Sequence, residues 1–184
     1  MDEDRILINR ILSGDKLAFK QLIQEHERLV FHMVSRLVQD QNDIEDLCQD
    51  TFIKVYQKLS DFGFKSKLST WIATIAYNNG INHLRKKKVD TEWGAGEVEI
   101  VPEEKTPSMI LENKELGIMV RKLVGQLPKP YQLIISLYHL DEFSYSEIAE
   151  ITNLPEGTVK SYLFRGRKIL KEKLKGFYQN EMVK

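Results

Sequence analysis

Apolar side chains recur at intervals of three and four residues along most of the chain, and this spacing predicts helices rather than strands. One buried helix face is predicted to consist of Phe19, Leu22, Ile23, His26, Val30, Met33, Val34 and Leu37. A second helix is expected to begin with Asp43 as its N-cap and to point inward with Ile44, Leu47, Cys48, Phe52, Val55, Tyr56 and Leu59. A third runs from about Ser69 to a basic cluster, and its apolar positions include Ile72, Ile75, Ala76 and Leu84.

The helical spacing stops between Val89 and Pro107, in a stretch that is acidic and contains glycine and proline. Spacing typical of helices resumes near Met109 and continues almost to the carboxyl terminus. We therefore expect an all-α protein with two small helical domains, residues 1–90 and 109–180. A flexible acidic linker, residues 91–108, is expected to join them.

Charge is unevenly distributed, although 27 basic and 27 acidic residues give a net charge of zero. Residues 1–64 carry a net charge of −4, 65–88 of +6, 89–115 of −6 and 116–184 of +4. Neutrality is therefore an average over alternating blocks. Two basic zones on either side of an acidic divider make nucleic acid a candidate partner for both domains.

The second domain contains a pattern typical of a helix-turn-helix. Ser144 and Glu147 form a capping box that starts a short helix, and Pro155 suits the first position of the next one. That next helix is predicted to bury Val159, Leu163, Gly166, Leu170 and Leu174. Its other face carries hydroxyl, basic and aromatic side chains, namely Thr158, Lys160, Ser161, Phe164, Arg165, Arg167 and Lys168. Such a face suits a recognition helix, because cations neutralise phosphates while polar groups meet base edges in the major groove.

Two outward faces stand out in the first domain. The helix after Asp43 has an acidic stripe that includes the apolar Ile53, which favours a protein contact over a merely solvated surface. The next helix has a side without acid, made of Thr70, Trp71, Thr74, Asn78, Ile81, Asn82 and Arg85. Amides and hydroxyls can bind base edges, and an aromatic ring can stack on an unpaired base. Trp71 could equally belong to the core.

Three segments, 43–52, 69–78 and 84–87, closely resemble region 2 of the sigma-70 family, and residues 127–170 resemble region 4. The extracytoplasmic-function (ECF) subgroup is the best match, and the resemblance covers nearly the whole chain in the right order. It implies a cytoplasmic, non-enzymatic transcription initiation factor that needs no cofactor and binds core RNA polymerase. Region 4 would read the −35 element as duplex, and region 2 would read the −10 element as a melted strand.

The resemblance also implies roles for individual residues. The stripe Asp46, Gln49, Asp50 and Ile53 would dock on the clamp helices of the largest polymerase subunit, and residues 127–140 would contact the flap. Residues 62–66 match a loop that holds a flipped base, Asn78 would line that pocket, and the basic cluster would hold the backbone. The −10 set is Phe62, Lys65, Ser66, Lys67, Thr70, Trp71, Asn78, Asn82, Arg85, Lys86 and Lys87. The −35 set is Thr158, Lys160, Ser161, Phe164, Arg165, Arg167 and Lys168. An anti-sigma factor is a further expected partner.

Two other functions remain open on the sequence. A stand-alone helix-turn-helix regulator would bind duplex operator without polymerase, usually as a dimer. An enzyme of nucleic-acid metabolism would need a catalytic or metal-binding motif, but the four histidines are scattered and Cys48 is the only cysteine.

Two local features complete the sequence-based expectations. The sequence has no run of about 18 consecutive apolar residues, so no transmembrane helix is expected. Gly80, in the middle of a helix, is expected to be a weak point that costs ~1 kcal/mol relative to alanine.

Overall fold

A computed structural model of the protein describes residues 2–91, 120 and 122–181, and the regular elements in these ranges are helical, which confirms the all-α prediction. The longer helices are α1 (Asp2–Leu12), α2 (Lys16–Ser35), α3 (Gln41–Lys58), α4 (Leu68–Thr91), α5 (Lys129–His139), α6 (Tyr145–Thr152) and α7 (Glu156–Glu181). A short 3-10 helix, Leu59–Asp61, follows α3. Residues 92–108 of the predicted linker lie outside the described residues.

The chain divides into two compact units. The first draws on Met1–Ala95 and Ser146–Leu154, and the second on Gly96–Tyr145 and Pro155–Lys184. Most of α6 is therefore grouped with the amino-terminal helices, whereas the sequence-based division at residues 1–90 and 109–180 put it with the second domain. That division stays a prediction.

The core of the first unit forms where α2 packs against α3 and α4 and where α3 packs against α4. The predicted inward face of α2 is confirmed at Leu22, Val30, Met33 and Val34, which are fully buried. Its outer members, Phe19, Ile23, His26 and Leu37, are only half-buried. The helix α1 covers a further side of α2 through the buried Leu7, Ile8 and Ile11.

The N-cap of α3 is Asp40, so the prediction that Asp43 fills this position is wrong. The Asp40 carboxylate accepts hydrogen bonds from the amides of Asn42, at 2.9 Å, and Asp43, at 3.1 Å. Asp43 lies in the first turn of the helix and faces α4, where it contacts His83 at 3.2 Å and Lys87 at 3.1 Å. The spacing of the sequence alone did not distinguish two aspartates three residues apart, because either can begin a helix.

Two side chains predicted to point inward are exposed instead. Tyr56 is 53% exposed and packs edge-on against Phe19, with 4.9 Å between the ring centroids. Leu84 is also exposed, near the carboxyl end of α4. Both lie at the margin of an apolar helix face, where a regular three-and-four spacing continues although the neighbouring helix no longer covers it.

Gly80 lies at a close helix crossing and is not a weak point of α4. A Cβ atom added there would lie 2.6 Å from Cδ1 of Leu37 and 3.3 Å from its Cβ. The absence of a side chain therefore lets α4 approach α2 closely. The propensity cost of a glycine inside a helix is offset by this contact.

The second unit uses the same device where α5 crosses α7. A Cβ atom on Gly166 would lie 2.8 Å from Cγ1 of Ile135. The predicted inward residues Val159, Leu163 and Gly166 are buried, and Leu170 and Leu174 are half-buried. Ahead of α7, Asn153 has a φ of 54° and marks the predicted break after α6.

Candidate nucleic-acid and polymerase interfaces

The outer side of α4 presents amides followed by cations. Asn78, Asn82 and Arg85 of the predicted face are exposed, and so are Lys86 and Lys87. The other members of that face are covered in part, since Trp71, Thr74 and Ile81 are half-buried and Thr70 is buried. Asn78 follows Trp71 by seven residues, which places the two on the same side of the helix about 10 Å apart along its axis. This side combines a ring, hydrogen-bonding groups and a basic end, which together suit a strand of unpaired nucleic acid.

The loop before α4, residues 62–66, is built on aromatic contacts and is called the aromatic loop below. The Phe62 ring is buried, with its centroid 4.8 Å from that of Phe64 and 5.2 Å from that of Trp71. Trp71 is half-buried, so it contributes both to the core, through Phe62, and to the surface. The guanidinium of Arg5 on α1 lies over the Phe64 ring, 4.6 Å from its centroid. No sequence pattern linked Arg5 to this loop.

Two of the residues in the predicted −10 set do not present their side chains on the surface. Phe62 is buried below its neighbours, and Thr70 is fully buried. The Thr70 hydroxyl donates a hydrogen bond to the Glu147 carboxylate at 3.2 Å, and the Lys67 ammonium lies 3.0 Å from the same oxygen. Phe62 and Thr70 therefore support this surface from beneath. Residues 65–88 contain no acid, and Glu147 supplies one from α6.

The basic end of α4 is tied to α3. The Lys87 ammonium donates to the Asp43 carboxylate at 3.1 Å, and this bond is the largest cause of a lowered pKa for Asp43. Charge attraction from Lys87 and His83 acts in the same direction. Lys87 is thus held against its own domain, whereas the side chains of Arg85 and Lys86 extend from the exposed side of the helix.

The acidic stripe on α3 is exposed, as the sequence predicted. Asp46, Gln49 and Asp50 are solvent-accessible, and Ile53 is 54% exposed beside them. An exposed branched apolar side chain within a polar surface is typical of a protein contact. Cys48, on another side of α3, is half-buried, and burial raises the pKa of its thiol to about 11.

The outer face of α7 is basic and includes one aromatic ring. Lys160, Arg165, Arg167 and Lys168 are exposed, Phe164 is 72% exposed, and Thr158 and Ser161 are half-buried. A large exposed ring among cations is not explained by packing. It is suited to contact the methyl group of a thymine in the major groove.

Two of these cations are held by a pair of stacked tyrosines. Tyr138 and Tyr145 stack with 5.0 Å between centroids and 22° between ring planes. The Arg167 guanidinium lies 5.1 Å from the Tyr138 ring centroid, and the Lys160 ammonium lies 5.6 Å from that of Tyr145. Helical spacing predicted neither tyrosine as part of this site, because the contact joins residues on different helices.

Hydrogen bonds further restrict the same two cations. Lys160 pairs with Glu156, with 2.6 Å between the charged atoms, and this bond raises the pKa of Lys160. Arg167 donates to the His139 ring at 3.2 Å. Burial, and then the nearby charge of Arg167, lower the pKa of His139. Lys160 and Arg167 are therefore held in place at one edge of the basic face.

Neither a metal site nor a membrane-spanning helix is present in the part of the chain that the structure describes. No group of three or more histidine, cysteine, aspartate or glutamate side chains is arranged to hold a metal ion there. Among the same residues, no helix is long and apolar enough to cross a membrane.

Two family models match the chain in order. Residues 22–89 match the model of Sigma-70 region 2, and residues 118–170 match that of Sigma-70 region 4. The first match contains α3, the aromatic loop and most of α4. The second contains α5, α6 and most of α7.

Characterised proteins are similar along almost their whole length. The ECF RNA polymerase sigma factor SigW of Bacillus subtilis is 32% identical over 177 residues, which cover 91% of this chain and 95% of that protein. The ECF RNA polymerase sigma-E factor of Escherichia coli is 33% identical over 180 residues, covering 93% and 94%. Among solved structures, the sigma factor RpoE bound to the anti-sigma factor NepR of Bartonella quintana has a TM-score of 0.70 at 27% identity, covering 85% of this chain and 96% of that one.

Proposed function

This chain belongs to the extracytoplasmic-function group of the sigma-70 family, and on that premise we propose that it directs core RNA polymerase to specific promoters. One observation carries the proposal: both sigma regions occur in order, and each has an exposed face of the chemistry that its role requires. A sigma factor is a binding subunit, so its side chains position polymerase and DNA. We place this activity in the cytoplasm, where the polymerase acts.

The exposed faces of α7 and α4 would each recognise a different promoter element. The basic face of α7 would bind the −35 element as duplex, since its cations suit phosphates and its polar and aromatic groups suit base edges. The amide face of α4 and the aromatic loop would bind the −10 element as a melted strand. Binding energy gained only from the unpaired strand favours opening, because the closed duplex cannot make those contacts.

The acidic stripe on α3 would bind polymerase. Asp46, Gln49 and Asp50 form a polar rim beside Ile53, which offers an apolar centre. Residues 127–140 would contact the polymerase flap, and Leu140 is exposed at the end of that segment. The structural relative solved with an anti-sigma factor supports a protein inhibitor as a further partner of this chain.

Asp50→Lys tests the polymerase contact. We expect it to weaken binding to core polymerase by roughly tenfold or more, because it places a cation where the partner is complementary to an acid. Glu27→Lys is the matched control, since it makes the same charge change at an exposed position of α2 outside the stripe. Affinity can be measured by fluorescence anisotropy with labelled protein, and promoter use by run-off transcription from a genomic promoter library.

The same measurements distinguish a sigma factor from a stand-alone regulator. Equal effects of the two substitutions would contradict the docking surface. Tight binding of the free chain to duplex operator as a dimer, with no affinity for core polymerase, would contradict the sigma-factor function and favour a stand-alone regulator.

A further inference from the structure

The aromatic loop contains a residue in an unfavourable backbone conformation. Phe64 has a φ of 55°, in the left-handed region that bulky side chains rarely adopt. Such a conformation persists when surrounding contacts over-determine it, and it is found most often at binding and active sites. In this chain it lies within the loop, residues 62–66, that we propose captures a base of the −10 element.

Contacts on the Phe64 ring account for this conformation. The buried Phe62 ring lies 4.8 Å away, centroid to centroid, and Phe62 in turn contacts Trp71 of α4. The Arg5 guanidinium lies 4.6 Å from the Phe64 centroid. A cation over an aromatic face is attracted by the ring quadrupole, and arginine adds planar stacking.

The helix that carries Arg5 is itself anchored. Leu7 and Ile8, which follow Arg5 closely, are buried, and α1 packs against α2 and the 3-10 helix that leads into the loop. The backbone at Arg5 is thus held by the packing of α1, while its exposed side chain reaches the Phe64 ring. Arg5 lies far from the loop in sequence and outside the set of residues assigned to DNA.

We infer that Arg5 is a positioning residue of the base-reading loop, acting through the Phe64 ring. This inference rests on the proposed function. With Arg5 in place the loop is ordered before the strand arrives, so less conformational entropy is lost on binding. A loop with a fixed shape also discriminates between bases better than one that adapts to each of them.

The experiment uses holoenzyme reconstituted from the full chain and core polymerase, with a library of duplex promoters randomised across the −10 element. Sequencing of the run-off transcripts gives the preference at each position. Arg5→Ala is expected to reduce the preference at one −10 position by roughly two- to fivefold, the range of a cation–π contact made by an exposed side chain. Arg5→Lys should restore part of it. Arg10→Ala is the matched control, because it removes a cation of α1 that pairs with Asp15 and is not part of the loop contact.

A second variant separates positioning from general stability. Phe64→Leu keeps an apolar side chain and removes the ring, so Arg5→Ala should have no further effect on base preference in that background. If the two substitutions are additive, or if Arg5→Ala behaves like Arg10→Ala while the wild type is selective, the inference is overturned and the proposed function stands. If the wild-type holoenzyme selects no −10 sequence, the proposed function fails, and the inference with it.

Discussion

The two helices predicted to contact DNA, α4 and α7, are similar in length but differ in where they place charge. α4 has 24 residues and α7 has 26. The exposed side of α4 is neutral in the middle and basic at its carboxyl end, whereas α7 carries cations along its exposed face. The difference is the one expected if α7 binds duplex DNA and α4 binds an unpaired strand, as proposed above. A duplex presents its phosphates first, and an unpaired strand also presents base edges and ring faces.

The two faces are nevertheless built in a similar way, with a cation held against aromatic rings. Each combines aromatic rings in contact with one another and a cation from another helix: Arg5 against Phe64 in the first unit, and Arg167 against Tyr138 in the second. A long charged side chain loses much rotamer entropy when it is held in place. Resting it on a ring before DNA binds reduces the cost that remains at the moment of binding.

The largest expected effect concerns the basic face. Arg165→Ala should weaken binding of holoenzyme to promoter duplex by about 1–3 kcal/mol and relax the preference at one −35 position, because an arginine that reads a base contributes in that range. Affinity measured on promoter fragments at several salt concentrations checks this. Lys173→Ala is the control, since Lys173 lies on another side of α7 and donates to Gln126. If the two substitutions weaken affinity equally, Arg165 contributes only positive charge and does not read a base.

The next prediction compares the two close helix crossings. Gly166→Ala should lower the free energy of unfolding of the second unit by about 1–2 kcal/mol, since overpacking outweighs the gain in helix propensity. Gly80→Ala should cost less than about 1 kcal/mol, because the atom it meets first is the flexible end of Leu37, whereas Gly166 meets the branched Ile135 near its backbone. Urea denaturation of each variant measures both values, and the reverse order would contradict this account of the crossings.

Two adjacent asparagines on α4 are expected to have different roles, Asn78 in promoter recognition and Asn79 in the stability of the fold. Asn78→Ala should change the preference at one −10 position by about 1 kcal/mol, the size of a typical hydrogen bond, and leave stability intact because Asn78 is exposed. Asn79→Ala should instead lower stability. Asn79 is buried, donates to the Thr51 hydroxyl at 3.0 Å and accepts from Lys54. Promoter selection and thermal denaturation of both variants provide the readout. A stability loss in Asn78→Ala would place that residue in the fold rather than at the surface.

The smallest effect is a dependence of stability on pH. Burial lowers the pKa of His26 in the folded first unit, against the opposing charges of Glu25 and Asp4. The unfolded chain therefore binds the proton more readily. Stability should be full above the unfolded pKa of about 6.5 and decline as the pH falls below it.

His26→Gln should remove this part of the pH dependence between about pH 7.5 and 5.5, as measured by denaturant midpoints. His139→Gln is the corresponding change in the second unit, where burial also lowers the pKa. The lowered pKa of Asp43 acts in a more acidic range, since its contribution is present above about pH 3.9 and is lost as the pH falls through the folded value. An unchanged pH profile in His26→Gln would contradict the role given to His26.

The sequence predicted those parts of the fold and site that depend on helical spacing. The all-α architecture, the buried face of α2, the exposed stripe on α3 and the outer face of α7 follow from positions three and four residues apart. Errors arose at the margins of those faces, as with Tyr56 and Leu84, and at the start of α3, where two aspartates were equally suitable caps.

What the sequence did not predict depends on contacts between distant segments. Gly80 lies opposite Leu37, the Thr70 hydroxyl is bonded to Glu147, and the Phe64 ring lies against Arg5. The Tyr138–Tyr145 stack that supports the α7 cations also joins different helices. Helical periodicity describes one element at a time, so it carries no information about which side chain of another element will be opposite.

The half-buried thiol of Cys48 has a practical consequence for experiments on this chain. Burial raises the pKa of this thiol to about 11, which lowers the fraction of reactive thiolate near neutral pH. A second cysteine introduced at an exposed position would therefore react with a maleimide dye well before the native one. Spectroscopic labels could be attached to α7 or to the aromatic loop while Cys48 is left in place, and its packing within α3 need not be disturbed by a serine substitution.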